Sequence, residues 1–189
     1  GGSIVLDSNV GGLTVDHGAS VMSGGQDIVV DVAGGVTLGT GTSVMTDGGQ
    51  LQVGAGDGLT VNGGTLNSEA GNLIVDVAGD ISVTGDGAIR SEGGAFEISS
   101  SGGSLSLASG TLDSGSGNIT VDVSAGIAID RGGVLLSQGG AIVLGSSAGA
   151  LTLTNGQVDS DGGDITVEVV SGMGMGAAGD IVSVGGDVT

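Results

Sequence analysis

The amino-acid sequence repeats itself along its whole length, with a period of about 23 residues, which lies in the range typical of repeat architectures. The clearest column of the repeat is a serine or threonine that follows an aliphatic residue by two positions. The hydroxyl residues of this column are Ser23, Thr46, Ser68, Ser91, Ser114, Ser137, Ser160 and Ser183. Their nearly constant spacing indicates a solenoid, in which each repeat is one coil stacked on the next.

Two further columns have the same period, and each consists of apolar residues in pairs two positions apart. The first column runs Ile4/Leu6, Ile28/Val30, Leu51/Val53, Leu73/Val75, Phe96/Ile98, Ile119/Val121, Ile142/Leu144 and Ile165/Val167. The second runs Leu13/Val15, Val36/Leu38, Leu59/Val61, Ile81/Val83, Leu105/Leu107, Ile127/Ile129, Leu151/Leu153 and Met173/Met175. Because successive side chains of a strand point to opposite faces, this spacing predicts strands with one inward face.

Three short strands per coil, recurring in one direction, predict an all-β fold: a parallel β-helix of about eight coils. Consecutive coils would lie about 4.8 Å apart, which gives a rod of roughly 35–40 Å. The chain has 45 glycines and no proline. Glycine permits tight corners, and the absence of proline suits strands whose N–H groups are all needed for pairing. We expect one β-helical domain over residues 1–189.

A second period of two coils is visible in the acids that follow the first aliphatic pair. Asp31, Asp76, Asp122 and Glu168 occupy this column in alternate coils, and Gly54, Ser99 and Gly145 occupy it in the coils between. These positions lie between inward residues and are predicted to point outward. Like charges directly opposite each other destabilise a sheet, so we interpret the two-coil unit as one that disperses charge.

The chain begins and ends within the repeat, since Ile4 has the phase of a first strand and Val188 lies one full repeat after Ile165. No polar or helical cap is recognisable at either end, and caps normally shield the open ends of solenoids. We therefore expect a segment of a longer array, or a subunit that stacks end to end on like coils. No apolar run in the sequence is long enough to span a bilayer as a helix, so we expect no membrane insertion.

The charge composition argues against two classes of partner. Arg90 and Arg131 are the only basic residues against 21 acids, for a net charge of −19. Nucleic acids and anionic membranes are both bound through clustered Lys and Arg. We expect neither as a partner, and a charge of one sign keeps an apolar-cored rod soluble.

Paired half-coils in three places carry a resemblance to a known family. They are GGQLQVGAGDGLTVNGG (48–64), GGAFEISSSGGSLSLASG (93–110) and GGAIVLGSSAGALTLTNG (139–156). They resemble the haemagglutinin-type repeats of filamentous-haemagglutinin-like exoproteins, which are secreted bacterial adhesins, and the resemblance covers essentially the whole chain. It implies a right-handed β-helix, a secreted or cell-surface location, and a stalk or adhesin role with a host-surface or glycan ligand.

Residues suited to catalysis are few. The densest acids are Asp159, Asp161 and Asp164, near the turn after a third strand. Glycoside hydrolysis needs two carboxylates across the scissile bond, and lyase chemistry needs Lys, Arg or a metal at a developing enolate. The chain has one Phe, no Trp and no Tyr on which a sugar could stack. We interpret these acids as a solvated corner and predict that the chain is not an enzyme.

A metal or cofactor site is not predicted either. His17 is the only histidine, and we expect it to be an exposed turn residue whose side chain points away from that of Asp16. Calcium suits carboxylates and turn carbonyls, but the tandem nonapeptide that binds it in other β-helices does not occur here. The Asp-containing turns at 54–58 and 85–87 leave weak calcium binding open as an alternative.

Two outward columns are candidate contact surfaces. One is a hydroxyl-rich column on the second strands: Thr14, Thr37, Thr60, Ser82, Ser106, Ala128, Thr152 and Gly174. Ice-binding β-helices use two such columns, but the neighbouring one is mixed here, so we interpret it as ordinary strand stacking. The other is an apolar-rich column on the first strands: Val5, Val29, Gln52, Ile74, Glu97, Thr120, Val143 and Thr166. We also expect a surface ion pair between Arg90 and Asp113.

These observations favour a non-catalytic stalk or adhesin segment of a large secreted bacterial surface protein or filament. A self-assembling fibre subunit and a carbohydrate-active β-helix enzyme remain as alternatives. The fibre would continue its coil phase between chains, whereas the enzyme would have a deep acidic groove.

Overall fold

The structure is a computed structural model that describes residues 2–189, and all of its regular elements are short strands. Coils 1 to 3 contain β1 (Ile4–Ser8), β2 (Leu13–Val15), β3 (Ser20–Ser23), β4 (Ile28–Val32), β5 (Val36–Leu38), β6 (Ser43–Thr46), β7 (Leu51–Ala55), β8 (Leu59–Asn62) and β9 (Thr65–Asn67). Coils 4 to 6 contain β10 (Leu73–Val77), β11 (Ile81–Thr84), β12 (Ala88–Arg90), β13 (Phe96–Ser100), β14 (Leu105–Ala108), β15 (Thr111–Asp113), β16 (Ile119–Val123), β17 (Ile127–Asp130) and β18 (Val134–Ser137). Coils 7 and 8 contain β19 (Ile142–Ser146), β20 (Leu151–Thr154), β21 (Gln157–Ser160), β22 (Ile165–Val169), β23 (Met173–Met175) and β24 (Asp180–Ser183).

The strands form three parallel sheets of eight, and each sheet takes one strand from every coil. We call them the first, second and third sheets, after the order of the strands within a coil. Every strand pairs with its equivalents in neighbouring coils, as Leu73 pairs with Phe96 and Ile81 with Leu105. The chain is therefore a β-solenoid of eight coils with three strands each, which confirms the predicted fold class.

One continuous aliphatic core runs along the axis of the solenoid. It is made by the inward columns recognised in the sequence, with Leu107 and Ile129 fully buried among them. Phe96, the single aromatic residue of the chain, is also fully buried in this core. Since a buried aliphatic side chain contributes roughly 1.5–3 kcal/mol, the stacked columns hold the coils together.

From the second coil onward, the corner after each third strand carries a glycine that touches the backbone of the preceding corner. Gly94, Gly117 and Gly140 lie one coil apart, each three residues after a member of the hydroxyl column. A Cβ at Gly140 would overlap the backbone carbonyl of Gly117, and one at Gly117 would overlap the carbonyl of Gly94. Only glycine lets consecutive corners approach this closely.

The hydroxyl column itself faces inward at the same corner. Ser160 is fully buried, and its Oγ accepts the Gly163 N–H at 2.9 Å. Two carbonyl oxygens are in reach of the one hydroxyl proton: that of Gly163 at 2.8 Å and that of Gly140 at 3.0 Å. Ser137 repeats this pattern with Gly140 and Gly117. The column thus satisfies backbone groups that the corner would otherwise bury without partners.

The last residues begin a ninth coil, as the sequence predicts. Val188 forms a parallel bridge with Ile165, and the Val167 N–H donates to the Thr189 carbonyl at 2.9 Å. Inward side chains are less covered here than in the middle of the rod: Met173 and Met175 are 55% and 48% exposed.

Candidate functional site

The three acids predicted to form a solvated corner do not share one environment. Asp161 and Asp164 are exposed in the turn after β21, as expected, and the Asp164 carboxylate accepts the Asp187 N–H at 2.9 Å. Asp159 instead lies on β21, between Leu136 and Val182 in the third sheet, and is half-buried. Its Oδ2 accepts the Gln157 side-chain amide at 3.2 Å, and its buried Oδ1 has no partner among the described residues. The solvated-corner prediction is therefore wrong for Asp159, because that residue is still in the strand.

His17 is an exposed turn residue, but the predicted direction of its side chain is wrong. β2 ends at Val15, so strand alternation does not extend to the next two residues. His17 adopts a positive φ of 53°, and its Nε2 lies 3.2 Å from Oδ2 of Asp16. The imidazole is 93% exposed, so the contact is solvated and contributes little.

The expected ion pair between Arg90 and Asp113 does not form. The two residues are neighbours in register on the third sheet, but the Asp113 carboxylate accepts the Gly115 N–H at 2.9 Å. Arg90 and Asp113 line a shallow depression of about 360 Å³ with Glu92 and Gln138. No aromatic side chain lines it, so it offers a sugar ring no stacking surface.

The two outward columns are in the predicted register. Thr14, Thr37 and Thr60 are direct neighbours on the second sheet, followed by Ser82. On the first sheet the apolar-rich column is interrupted by Gln52, and Val5 is its most exposed aliphatic member at 65%.

The outward acids alternate with small residues as predicted, with one exception. Gly54 separates Asp31 from Asp76, and Ser99 separates Asp76 from Asp122. At the start of the sheet, however, Asp7 lies directly opposite Asp31. Among residues 2–189 no group of three or more His, Cys, Asp or Glu could hold a metal ion. Weak calcium binding at the acidic turns stays an untested alternative.

Several side chains that were not predicted from the sequence accept hydrogen bonds from the next coil. The Asp80 carboxylate accepts the Ser104 N–H at 2.8 Å and the Ser104 hydroxyl at 2.9 Å. The backbone N–H and then the hydroxyl of Ser104 lower the pKa of Asp80 from its usual value. Asn72 accepts the Ala95 N–H, and Asn118 accepts the Ala141 N–H in the same way. Their recurrence two coils apart, each just before a first strand, is the signal that could have found them.

Comparison with protein-family models, curated proteins and solved structures found no match for this chain. The resemblance to haemagglutinin-type repeats therefore stays a prediction. In the described part of the chain, no helix has the length and apolar character needed to cross a bilayer.

Proposed function

We propose that this chain is a non-catalytic, rod-shaped spacer: a stalk or adhesin segment of a secreted bacterial surface protein. The observation behind the proposal is the unbroken register of three eight-stranded sheets around one core. A solenoid in which every coil repeats the same pairing has a fixed direction and length per residue, which is what a spacer requires.

The surface chemistry supports a structural role over a carbohydrate-active one. The one aromatic side chain is fully buried, and the acids alternate with small residues along an outward column. Binding sites for small ligands are normally concave and combine apolar walls with a few converging polar groups. The depression beside Arg90 has polar groups but no apolar wall.

Two measurements test the proposal. Small-angle X-ray scattering should give a stiff rod whose length agrees with eight coils at about 4.8 Å each. Incubation with pectins, alginates and other polyuronates should release no product. A reproducible product signal that Asp161→Asn abolishes would overturn the non-catalytic role, and a flexible or compact particle would overturn the spacer role.

A self-assembling fibre subunit is the second candidate, because the inward side chains of the last coil can accept a further coil, whether from this chain or from another. Met173 and Met175 occupy inward positions of the second sheet but are about half exposed, whereas their partners Leu151 and Leu153 are fully buried. A further coil laid on them would extend the core, and head-to-tail contacts of this kind give filaments. Sedimentation over a wide concentration range tests this: growing rods support the fibre, and a strict monomer eliminates it.

A further inference from the structure

We propose that the solenoid is a series of stapled coil pairs, and that the interface between coils 5 and 6 opens more readily than the stapled interfaces on either side of it. A stapled interface here means one in which side chains of one coil accept hydrogen bonds from the backbone or hydroxyl groups of the next. A seam means an interface between two pairs. The inference goes beyond the proposed function, since it follows from the hydrogen bonds between coils whatever the rod is used for.

The position just before each first strand alternates between an acceptor and a residue that makes no bond to the next coil. Asp27, Asn72, Asn118 and Asp164 each accept the backbone N–H of the equivalent residue one coil later. Those bonds join coils 2 to 3, 4 to 5, 6 to 7 and 8 to 9. In the intervening coils, Ala95 and Ala141 have no side-chain acceptor, and the Gln50 amide is directed to Gln52.

Coil 4 holds coil 5 at three points. Besides Asn72, the Asp76 carboxylate accepts the Ser99 hydroxyl at 2.8 Å. Asp80 accepts both the N–H and the hydroxyl of Ser104. The equivalent positions in coil 5 are therefore donors toward coil 4.

The interface between coils 5 and 6 is weaker along the first sheet. The equivalents of the three coil 4 acceptors are Ala95, Ser99 and Ser104, and the Ser99 and Ser104 hydroxyls are already directed back to coil 4. Across this seam, Ser109 donates to the Arg131 carbonyl at 2.8 Å, and the buried Ser137 hydroxyl lies 3.0 Å from the Gly117 carbonyl oxygen. Ser124 makes a long contact of 3.4 Å with Gly103. The core is continuous on both sides, so the side-chain bonds make the difference between the two interfaces.

Equivalent backbone amides report on each interface separately. The Leu73 N–H donates to the Ala95 carbonyl across the stapled interface, and the Phe96 N–H donates to the Asn118 carbonyl across the seam. The Ile119 N–H crosses the next stapled interface, to Ala141. Native-state hydrogen exchange of such amides measures the free energy of the opening that exposes them.

The experiment is hydrogen–deuterium exchange of the full chain, followed by NMR or fragmentation mass spectrometry. After correction for intrinsic rates, we expect Phe96 to exchange at least threefold faster than Leu73 and Ile119. This is the range expected for a difference of one or two net hydrogen bonds, at roughly threefold to tenfold each. A smaller ratio, including equal exchange through global unfolding alone, would overturn the proposal.

Two variants test whether the side-chain acceptors cause the difference in exchange rate. Ala95→Asn places an acceptor in an exposed position of the seam and should slow Phe96 exchange at least threefold, with Leu73 unchanged. Asn72→Ala should speed Leu73 exchange at least threefold relative to Ile119, which serves as the reference in the same sample. If both variants leave these ratios unchanged, the side-chain staples do not control the opening and the proposal fails.

Discussion

The corner after each third strand and the outward column of acids both use glycine and serine, but they use them for different reasons. At the corner, Gly140 stands where a side chain would overlap the backbone of the preceding coil, and Ser160 is buried and hydrogen-bonded. In the outward column, Gly145 lies beside an acid, and a Cβ there would meet the Asp122 carboxylate at an ordinary 3.4 Å. At the corner, the lack of room for a side chain requires glycine. In the outward column there is room for a side chain, and we interpret the small residues as a means of keeping the acids apart.

The largest expected effect is at the glycine stack. Gly140→Ala should lower the free energy of unfolding by about 3 kcal/mol or more, because the added methyl overlaps backbone that cannot move aside. Gly139→Ala is the matched control, since a Cβ at Gly139 meets nothing within 4 Å. It should change stability by less than about 0.5 kcal/mol. Urea unfolding measures the free energy of unfolding of both variants. Similar losses for the two would contradict the claim that close packing requires glycine at position 140.

The second-largest effect is expected at the buried hydroxyl of Ser160. Ser160→Ala removes an acceptor for the Gly163 N–H and a donor to a corner carbonyl, and should cost about 1–3 kcal/mol. Ser101→Ala, at an exposed turn, is the control and should be within about 0.5 kcal/mol of the parent. An equal and small effect at both serines would mean that water replaces the corner bonds.

The acid column should give a smaller effect that depends on salt. Gly145→Asp would place a carboxylate between Asp122 and Glu168 on adjacent strands, at a cost of about 1 kcal/mol or less. Added salt should reduce the cost, because exposed charges are screened. Gly145→Asn, with a similar side chain and no charge, separates repulsion from size. A cost equal for Asp and Asn and insensitive to salt would refute the charge-dispersal interpretation.

The smallest effect concerns pH. The Ser104 N–H and hydroxyl hold the pKa of Asp80 below its usual value. Because the folded pKa is the lower one, its stabilising contribution is present above the unfolded pKa of about 3.9 and is lost as pH falls through the folded value. A carboxyl NMR titration should show a lowered midpoint that Ser104→Ala moves part of the way back. A midpoint that Ser104→Ala leaves unchanged would remove the hydroxyl as a cause.

The strands and their pairing could be predicted from the sequence because each apolar column identifies the side chains that face inward. The pairs Leu105/Leu107 and Ile127/Ile129 fix both the strand and its neighbour in the next coil. The polar details were less accessible, since they depend on where a strand stops. Asp159 lies one residue inside β21 and is half-buried, and Asp16 lies one residue beyond β2 and meets His17.

The prediction of an ion pair between Arg90 and Asp113 was wrong for a related reason. Register brings the two residues together on adjacent strands, but a backbone N–H two residues away competes for the carboxylate. The spacing of a column predicts which residues are neighbours on adjacent strands. It does not predict whether a carboxylate binds a neighbouring strand or a nearby backbone N–H, because that depends on the geometry of the turn.

The alternation of acceptors and acids also constrains how such a gene can change length. Within coils 2 to 8, deleting two whole coils between equivalent positions still places each acid of the outward column beside a small residue, and each acceptor before a residue whose side chain accepts no bond from the next coil. Deleting one coil, such as coil 5, keeps the aliphatic core in register but places Asp76 beside Asp122, and Asn72 would then precede Asn118 instead of Ala95. Length changes in two-coil steps therefore conserve the alternation of the outward acids as well as the core.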